Sequence, residues 1–490
     1  MTKILSKTAY LSCLQCPRLF WTRINQKDRL PAVDEATQAM FDQGHQVGEL
    51  AKQLYPDGIE IDWNLGFKQV CEKSHELLPK RKPLFEPGYI YNHCFTRADI
   101  LLPVGDNQWD IIEVKSSTGA KDEHIKDLAF QHYVYSGNNI KIRKMFIMHV
   151  NNHYIKNGEI DVENFFSLTE LTEEAETRSI LIADEIPSFF DIVDVSETKI
   201  KDYITIGTQC KSPYPCILYD DCHSHLPEDN LLSLYRFNKR TAYELINQGQ
   251  EQIINLSLNI ELTERQQIQK EALKSGDVHI NKPEIDKFLK QIEYPAYYLD
   301  FETINPAIPL FNGMRPYQML PFQFSLHIQH EPNGILEHHS FLAEAVDDPR
   351  PMFMSKLKEL IGSTGSVIVY NQTFEESRMK ECAEAYPEYK EFVNDVNSRL
   401  LDLLMPFRNF CYYNPAQKGS ASIKKVLPAI VGKSYEGMEI ADGGTASREY
   451  FRVTFTDNNQ DKNKVRSNLE EYCALDTIAM VDIISKLQNI

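Results

Sequence analysis

The first half of the chain changes its hydrophobic period near residue 96. Before that point, segments such as EATQAMFDQGHQVGELAKQLYP place apolar residues at helical spacing, which predicts a mainly helical region over residues 1 to about 95. Over residues 96–155, the apolar runs ADILLP and WDIIEVK flank a polar turn, and the helical segment HIKDLAFQHYVYSG precedes a third apolar run, KMFIMHV. A hairpin followed by a helix and a strand is typical of an α/β core.

A second α/β pattern begins near residue 291. The runs YPAYYLDFET, FQFSLHIQ and SVIVYN predict strands, and LEEYCALDTIAMVDIISKL predicts a long C-terminal helix. Residues 226–288 are polar with helical spacing and predict a connecting bundle. A length of 490 residues suits two or three folded units. We therefore predict an α/β protein with an N-terminal domain over 1–225, a helical connector over 226–288 and a C-terminal domain over 289–490.

Composition places the chain among globular proteins, with 42% hydrophobic and 25% charged residues. The N-terminal segment lacks the apolar core of a signal peptide, and no stretch approaches the roughly 20 apolar residues of a membrane span. We expect a cytoplasmic protein that does not contact a membrane. Ten cysteines in such a protein indicate free thiols and a possible metal site, rather than a disulfide framework.

The net charge of -18 argues against a protein that coats nucleic acid by bulk attraction. Nuclease sites are an exception, because their carboxylates hold divalent cations that reverse the local sign of the field. Three short basic runs, at 80–82, 141–144 and 424–425, could contact backbone phosphates. Solvated surface is the alternative interpretation of the same runs.

Asp99, Glu113 and Lys115 form the first group suited to chemistry. The predicted turn is centred near Asp106, with Asp99 seven residues before it and Glu113 seven residues after it. In an antiparallel hairpin of that register the two carboxylates face each other, and Lys115 shares their side of the sheet. Opposed carboxylates repel, whereas a bound Mg²⁺ would resolve the repulsion and a nearby lysine could activate its water. Ordinary charges on a surface hairpin are the alternative.

The motifs around this triplet resemble the PD-(D/E)XK nucleases, and within them the RecB-like group that includes CRISPR-associated exonucleases. The resemblance covers roughly residues 5–225 and rests on Gly44-His45, Asp99, Glu113-Val114-Lys115, and Gln131 with Tyr135 in QHYVY. It implies that His45, Asp99 and Glu113 bind metal and that Lys115 serves the nucleophilic water. It also implies that Gln131 and Tyr135 contact substrate.

Four cysteines form a second candidate group. The segment CKSPYPCILYDDC has the spacing C-x5-C-x5-C, and a further cysteine lies in CPRLFW near the start of the chain. Thiolates suit zinc or iron-sulfur clusters. RecB-like nucleases of this group carry such a set, so the resemblance implies a 4Fe-4S cluster on Cys16, Cys210, Cys216 and Cys222. The first x5 gap is longer than is usual there. Zinc, unligated thiols and Cys13 in place of Cys16 remain alternatives.

A second carboxylate group is spread over the C-terminal region. Asp300 and Glu302 stand two residues apart in a predicted buried strand, so they share a face, and burying them without a cation would be costly. Glu375 falls in the first turns of a helix that Asn371 is predicted to cap. Tyr472 and Asp476 stand at i and i+4 on the last helix and point the same way.

These motifs, in order, resemble the DnaQ-like 3'-5' exonucleases of the DEDD class, which have an RNase H-like fold. The resemblance implies two cations held by Asp300, Glu302, Glu375 and Asp476, with Tyr472 orienting the attacking water. Glu375 departs from the aspartate usual at its position. Asp402 resembles a structural aspartate of that fold. The segments GSASIKKVLP and IADGGTAS, which resemble an uncharacterised bacterial domain family found behind RecB-like nucleases, could line the substrate path or form plain loops.

The sequence therefore predicts a nuclease dependent on Mg²⁺ or Mn²⁺, with two active sites. DNA that is single-stranded or has free ends is the favoured substrate, and genome maintenance or defence against foreign DNA is the expected setting. Two alternatives remain: a nuclease that acts on RNA, and a catalytically reduced platform that binds nucleic acid or a partner. Accessory proteins and self-association stay open.

Overall fold

The computed structural model describes residues 4–62, 64–257, 259–344 and 346–490. The chain divides into two compact units. The first comprises Met1–His225 with Pro306–Tyr317, and the second comprises Leu226–Asn305 with Gln318–Ile490. The segment predicted as a separate connector is thus part of the second unit. A short stretch from the second half of the chain belongs to the first unit.

The strands of the first unit are, in chain order, β1 Leu5–Ser6, β2 Ile59–Glu60, β3 Leu84–Phe85, β4 Gly88–Tyr91, β5 Cys94–Arg97, β6 Ile100–Val104, β7 Gln108–Lys115, β8 Ile142–Val150 and β9 Phe166–Glu170. Its α-helices are α1 Lys7–Gln15, α2 Pro17–Asn25, α3 Glu35–Lys52, α4 Phe67–Leu77, α5 Asp122–Gly137, α6 Val162–Phe165, α7 Thr172–Ser179, α8 Ile182–Asp194, α9 Glu197–Ile200 and α10 Tyr219–His223.

The first unit is built on a mixed sheet in the order β2-β3-β6-β7-β8-β9. Strands β6 and β7 form an antiparallel hairpin, and β7 pairs in parallel with β8 after the crossover through α5. Apolar side chains of α5, including Leu128, Phe130 and Val134, are buried against the sheet in one core cluster. The predicted order of hairpin, helix and strand is confirmed.

Residues 84–97 differ from the prediction, because the sequence pattern indicated helix and the structure has the short strands β3, β4 and β5 there. The reason is local packing. Gly88 lies so close to α4 that a Cβ would come within 2.6 Å of Val70 Cγ1, and the aromatic rings of Tyr89 and Phe95 are buried on either side of it. Aromatic residues beside glycine and proline favour strand and turn over helix.

The strands of the second unit are β10 His279–Ile280, β11 Ala296–Ile304, β12 Leu320–Gln329, β13 Leu336–Leu342, β14 Val367–Val369, β15 Leu400–Asp402 and β16 Tyr412–Tyr413. Its α-helices are α11 Lys239–Asn247, α12 Glu264–Ser275, α13 Lys282–Leu289, α14 Arg350–Leu360, α15 Gln372–Ala385, α16 Lys390–Ser398, α17 Met405–Arg408, α18 Ile423–Ile430, α19 Gly443–Phe455 and α20 Lys462–Gln488. Within the described ranges, no helix of the chain is both long and apolar enough to cross a bilayer.

The second unit holds a five-stranded mixed sheet in the order β13-β12-β11-β14-β15. Strand β11 is central: it pairs antiparallel with β12 and parallel with β14. The predicted strands β11, β12 and β14 and the C-terminal helix are confirmed, whereas β13 was missed. Strand β13 has the sequence LEHHSFL and, among the described strands, pairs with β12 alone, so it is a polar edge strand with little hydrophobic signal.

A buried histidine on β12 makes the stability of this sheet sensitive to acid. His327 is 7% exposed, its Nδ1 lies 2.8 Å from Thr477 Oγ1, and its ring stacks on His338 at 4.4 Å. Burial and the neighbouring His338 lower the pKa of His327 from 6.5 to about 4. The unfolded chain therefore binds more protons than the folded chain between those values, and stability falls as the pH falls through that window.

We predict that His327→Gln reduces this acid sensitivity. Between pH 7.5 and 5.0 the free energy of unfolding of the wild type should fall by about 2 kcal/mol more than that of the variant. Urea titrations followed by circular dichroism measure the difference. His330→Gln, at an exposed position on the same unit, serves as the matched control. An equal loss in the wild type and His327→Gln would contradict the prediction.

Candidate metal centres

The hairpin of the first unit has the register that the sequence predicted. Ile100 pairs with Ile112 and Leu101 pairs with Ile111, so the next position places Asp99 opposite Glu113. The Asp99 carboxylate turns towards β7, where its Oδ2 accepts a 2.6 Å hydrogen bond from Val114 N–H. Alternation along β7 then brings Glu113 and Lys115 to one face.

Lys115 and Gln131 both contact Glu113. Lys115 Nζ lies 2.7 Å from Glu113 Oε1 and 2.9 Å from Asp127 Oδ2. Gln131 Nε2, on α5, donates to Glu113 Oε2 at 2.7 Å and to Asp127 Oδ1 at 3.0 Å. Three of the predicted residues and Asp127 therefore form one buried cluster between β7 and α5.

A second lysine belongs to this cluster and was not predicted. Lys7 is the first residue of α1, and its Nζ lies 2.7 Å from Glu113 Oε1 and 2.8 Å from Asp127 Oδ1. The two carboxylates raise its pKa despite burial. Lys7 is separated from Glu113 by 106 residues, and no local pattern marks either Lys7 or Asp127 as part of the site.

In the described chain, two further acids near this centre, Asp99 and Glu86, form no ion pair with a lysine. Their ligand oxygens and that of Glu113 do not all lie within 4.8 Å of one another, so a cation held by these three acids stays a prediction. Burial and the charge of Glu113 raise the pKa of Asp99 to about 7. Burial, Asp99 and Glu113 raise the pKa of Glu86 to about 8. Glu86 was also not predicted; it has a positive φ of 59° and its backbone N–H bonds to Asp99 O at 3.2 Å.

Two residues predicted for this centre are placed elsewhere. The Tyr135 side chain is fully buried, and its hydroxyl donates to Pro87 O at 2.5 Å and accepts from Ala98 N–H at 3.0 Å. Its hydroxyl therefore ties α5 to the β4–β5 region and cannot reach a substrate. His45 is exposed on α3, and within the described chain His45, Asp99 and Glu113 do not bring their ligand atoms within 4.8 Å of one another.

The four predicted cluster cysteines are gathered in the first unit. Cys16 connects α1 to α2 and packs with Cys216 and Cys222 around Leu19. Cys210 lies next to Cys216, whose N–H donates to Cys210 O at 2.9 Å, and burial with the charges of Cys16 and Cys222 raises the pKa of the Cys210 thiol. Among the described residues no three of the sulfur atoms lie within 4.8 Å of one another, so ligation of iron or zinc stays a prediction.

Contacts around these cysteines fix the loop that carries them. Gln15 Nε2, at the end of α1, donates to Gln209 O at 2.9 Å and to Tyr214 O at 2.8 Å. Arg18 Nη1 donates to Cys222 Sγ at 2.9 Å. Burial raises the pKa of Cys222, and the Arg18 guanidinium opposes that shift. Cys13 is buried in the core cluster that contains Tyr10 and Phe20, whereas Cys16 packs with Cys216 and Cys222, so packing favours Cys16 as the member of the set.

The second unit holds a tight carboxylate cluster. Asp300 and Glu302 on β11 and Asp476 on α20 each bring one oxygen within 4.8 Å of the others. Glu302 and Asp476 are 6% and 5% exposed. Burial and Asp476 raise the pKa of Glu302 to about 8, and burial raises that of Asp476 to about 6. In the described chain none of the three forms an ion pair, so a cation would satisfy them.

Two tyrosines hold Asp476. Tyr435 OH donates to Asp476 Oδ1 at 2.5 Å, and a hydrogen bond from Tyr472 also lowers the Asp476 pKa against the effect of burial. The rings of Tyr435 and Tyr472 lie 6.0 Å apart. Tyr472 and Asp476 share one face of α20 as predicted, whereas Tyr435 was missed because it lies in a loop with no helical or strand period.

Glu375 lies beside the trio rather than within it. Its side chain is 2% exposed on α15, and its Oε2 has no hydrogen-bond partner among the described residues. Burial raises its pKa, and the charges of Asp402 and Glu302 contribute to that shift. An unpartnered buried carboxylate oxygen is costly, which makes Glu375 a candidate ligand at the edge of the centre.

The turn before Glu375 departs from the predicted cap. Asn371 occupies the position before α15 with a φ of 94°, and its side chain makes no capping bond. Its backbone N–H instead donates to Asp402 Oδ1 at 3.0 Å, and the same oxygen accepts from Leu404 N–H at 3.0 Å. Asp402 therefore stabilises the turn, consistent with the predicted structural role.

The sequence of this chain is similar to a domain family and to bacterial proteins that are themselves uncharacterised. Residues 297–422 match the model of a domain of unknown function, DUF2779. The chain is 30% identical over 215 residues to an uncharacterised protein of Mycoplasma genitalium, a match that covers 39% of this chain and 32% of the relative. An uncharacterised protein of Ureaplasma parvum is 28% identical over 236 residues, covering 43% and 33%. The chain thus spans about a third of the length of the curated relatives it matches.

We predict that Asp300→Asn stabilises the metal-free protein. Neutralising one acid of a buried cluster relieves repulsion, so the gain at pH 8 should be about 1–3 kcal/mol, since one pKa unit corresponds to about 1.4 kcal/mol. Because the folded pKa values are raised, the gain should shrink as the pH falls towards 5. Thermal melts in chelator measure it.

Adding a divalent cation distinguishes relief of repulsion within the carboxylate trio from a general stabilising effect of the substitution. Mn²⁺ should raise the melting temperature of the wild type and do so less for Asp300→Asn, while Asp277→Asn, at an exposed position, should behave as wild type. If Mn²⁺ leaves the wild-type melting temperature unchanged, the trio is not a metal site.

Proposed function

We propose that this chain is a metal-dependent nuclease with one active site in each unit. The observation that carries the proposal is the convergence of Asp300, Glu302 and Asp476, whose oxygens lie within 4.8 Å of one another without an ion pair in the described chain. Ligand sets made only of oxygen suit Mg²⁺ and Mn²⁺. Cations bound in such a site can support phosphodiester cleavage, because they activate water and stabilise the attacking and leaving oxygens.

The second unit is proposed to be a DnaQ-like 3'-5' exonuclease with an RNase H-like fold. Asp300, Glu302 and Asp476 would hold cations that, when bound, activate water and stabilise the attacking and leaving oxygens. Glu375 contributes an unpartnered oxygen at the edge of this set. Tyr472 would orient the water, and the 2.5 Å hydrogen bond from Tyr435 fixes the Asp476 carboxylate.

The first unit is proposed to be a RecB-like PD-(D/E)XK nuclease. The opposed Asp99 and Glu113, with Lys115 Nζ 2.7 Å from Glu113 Oε1, support this assignment. Asp99, Glu113 and Glu86 would hold the cation. Lys115 would then give up its contact with Glu113 to serve the attacking water.

The cysteine set is proposed to bind a 4Fe-4S cluster through Cys16, Cys210, Cys216 and Cys222. The gathering of four thiols from two distant segments supports the proposal. The full assignment is a cytoplasmic enzyme that acts on single-stranded or free-ended DNA in genome maintenance or defence.

One observation favours the alternative of a non-catalytic platform. In the first unit Lys7 and Lys115 each pair with both Glu113 and Asp127, which is a closed set of two cations and two anions. Such a set can hold a fold together without any substrate. Activity assays on variants of each centre decide between the two functions.

We predict that both centres cleave single-stranded DNA. Lys115→Ala and Asp300→Ala should each remove one activity, by about a hundredfold or more, and the double variant should remove both. End-labelled DNA and RNA of the same sequence, incubated with Mg²⁺ or Mn²⁺, report rate, polarity and substrate class. Lys126→Ala, at an exposed position on α5, is the control. Wild-type protein that leaves DNA and RNA intact would favour the platform.

A further prediction concerns the cysteine set. Protein purified without oxygen should be brown and contain about four irons per chain, since a 4Fe-4S cluster is held by four thiolates. Cys216→Ser should lose the colour and the iron, and Cys411→Ser, outside the set, should keep both. A colourless protein with one zinc per chain would show that the cysteines bind zinc and not an iron-sulfur cluster. A metal-free protein would show that the thiols are unligated.

A further inference from the structure

Lys424, on α18, is a basic residue whose charge acts on both Glu302 and Asp476 of the carboxylate trio. Its Nζ lies 5.2 Å from the centre of the Tyr472 ring and 5.6 Å from that of Tyr435. Burial raises the pKa of Glu302 and of Asp476, and the Lys424 ammonium opposes that shift in both. The ammonium is therefore close enough to affect the trio.

This ammonium has no direct partner. In the described ranges Lys424 forms no hydrogen bond and no ion pair within 4.0 Å. Lys7 and Lys115 in the first unit show the opposite arrangement, because each lies within 3 Å of two carboxylates. A lysine that served only to neutralise the trio would form such contacts. Lys424 is instead held over two aromatic rings, a position that favours a cation without using its hydrogen-bond donors.

Each of the other two basic runs has a residue that is engaged in structural contacts. Arg81 bonds to the carbonyls of Val104, Gly105 and Gln108 and so closes the β6–β7 turn. Lys144 pairs with Glu170 at 2.8 Å. Lys424 differs from these two in having no such partner.

The backbone around Lys424 is fixed at the centre. Tyr370 OH, at the end of β14, donates to Ala421 O at 2.6 Å, just before α18 begins. Helix α19 begins at Gly443, where a Cβ would lie 3.4 Å from Glu302 Oε2, which is van der Waals contact. The first turn of α19 therefore lies directly beside the trio.

We propose that Lys424 binds a phosphate of the nucleic-acid strand next to the bond that the second centre cleaves. This inference rests on the proposed nuclease function. Lysine binds phosphate as a point charge with three donors, and the donors of Lys424 are unused. Under this proposal, the Lys424 ammonium contacts the substrate directly.

The test is the salt dependence of binding to the full-length protein. A fluorescein-labelled oligothymidine is titrated with Ca²⁺ in place of Mg²⁺ to prevent cleavage, at NaCl concentrations from about 50 to 200 mM. Loss of one phosphate contact lowers the slope of log K against log salt by about 0.7 for a single strand. We expect this decrease for Lys424→Met, with Lys424→Arg keeping the wild-type slope. The adjacent Lys425→Met, at an exposed position, should also keep it.

A modified strand locates the contact. Replacing the 3'-terminal phosphodiester by an uncharged methylphosphonate should weaken wild-type binding about tenfold, as expected for a charge-assisted contact, and should not weaken Lys424→Met further. Lys424→Gln gives the same comparison if Lys424→Met does not fold. Equal slopes in the wild type and Lys424→Met, or an equal methylphosphonate effect in both, would overturn the inference. Wild type that neither binds nor cleaves DNA or RNA would instead refute the proposed function.

Discussion

A buried carboxylate must be neutralised by a nearby positive charge or by a proton, and both centres of this protein are arranged around that constraint. In the first unit two lysines form direct contacts with Glu113 and Asp127, which leaves Asp99 and Glu86 as the acids without a cation. In the second unit no lysine or arginine among the described residues pairs with Asp300, Glu302 or Asp476. Lysines of the fold therefore neutralise part of the first centre, whereas all three acids of the trio in the second unit are left for a bound cation.

The parts of each centre that lie on regular elements could be predicted from the sequence. The pairing of Asp99 with Glu113 follows from the position of the turn, because an antiparallel hairpin has one register once its turn is known. The shared face of Tyr472 and Asp476 follows from helical spacing. In both cases the type of element, strand or helix, fixes the direction in which each side chain points. The spacing of the neighbouring apolar residues shows which type of element is present.

The remaining site residues could not be predicted, since they reach the centres through tertiary packing. Lys7 and Tyr435 lie far along the chain from the carboxylates that they contact, and neither position has a periodic signal. Tyr135 shows the opposite error. Its spacing from Gln131 suggests one shared role, yet the structure buries its hydroxyl against Pro87 and Ala98. The spacing of residues on a helix predicts the direction of a side chain, but it does not predict which groups that side chain contacts.

Helix α1 joins two features of the first unit that look independent in the sequence. Its first residue, Lys7, contacts Glu113 and Asp127, and it ends where Cys16 begins the cysteine set. Gln15 in its last turn bonds to the loop that carries Cys210. A cluster bound by the cysteines would hold the far end of a nine-residue helix whose near end places an ammonium on the carboxylates. Helix α1 therefore carries a contact of each site, with the Lys7 ammonium at its first residue and the Gln15 amide at its last. If a cysteine substitution alters the first centre, α1 offers a route for that effect that does not need the cluster to contact substrate.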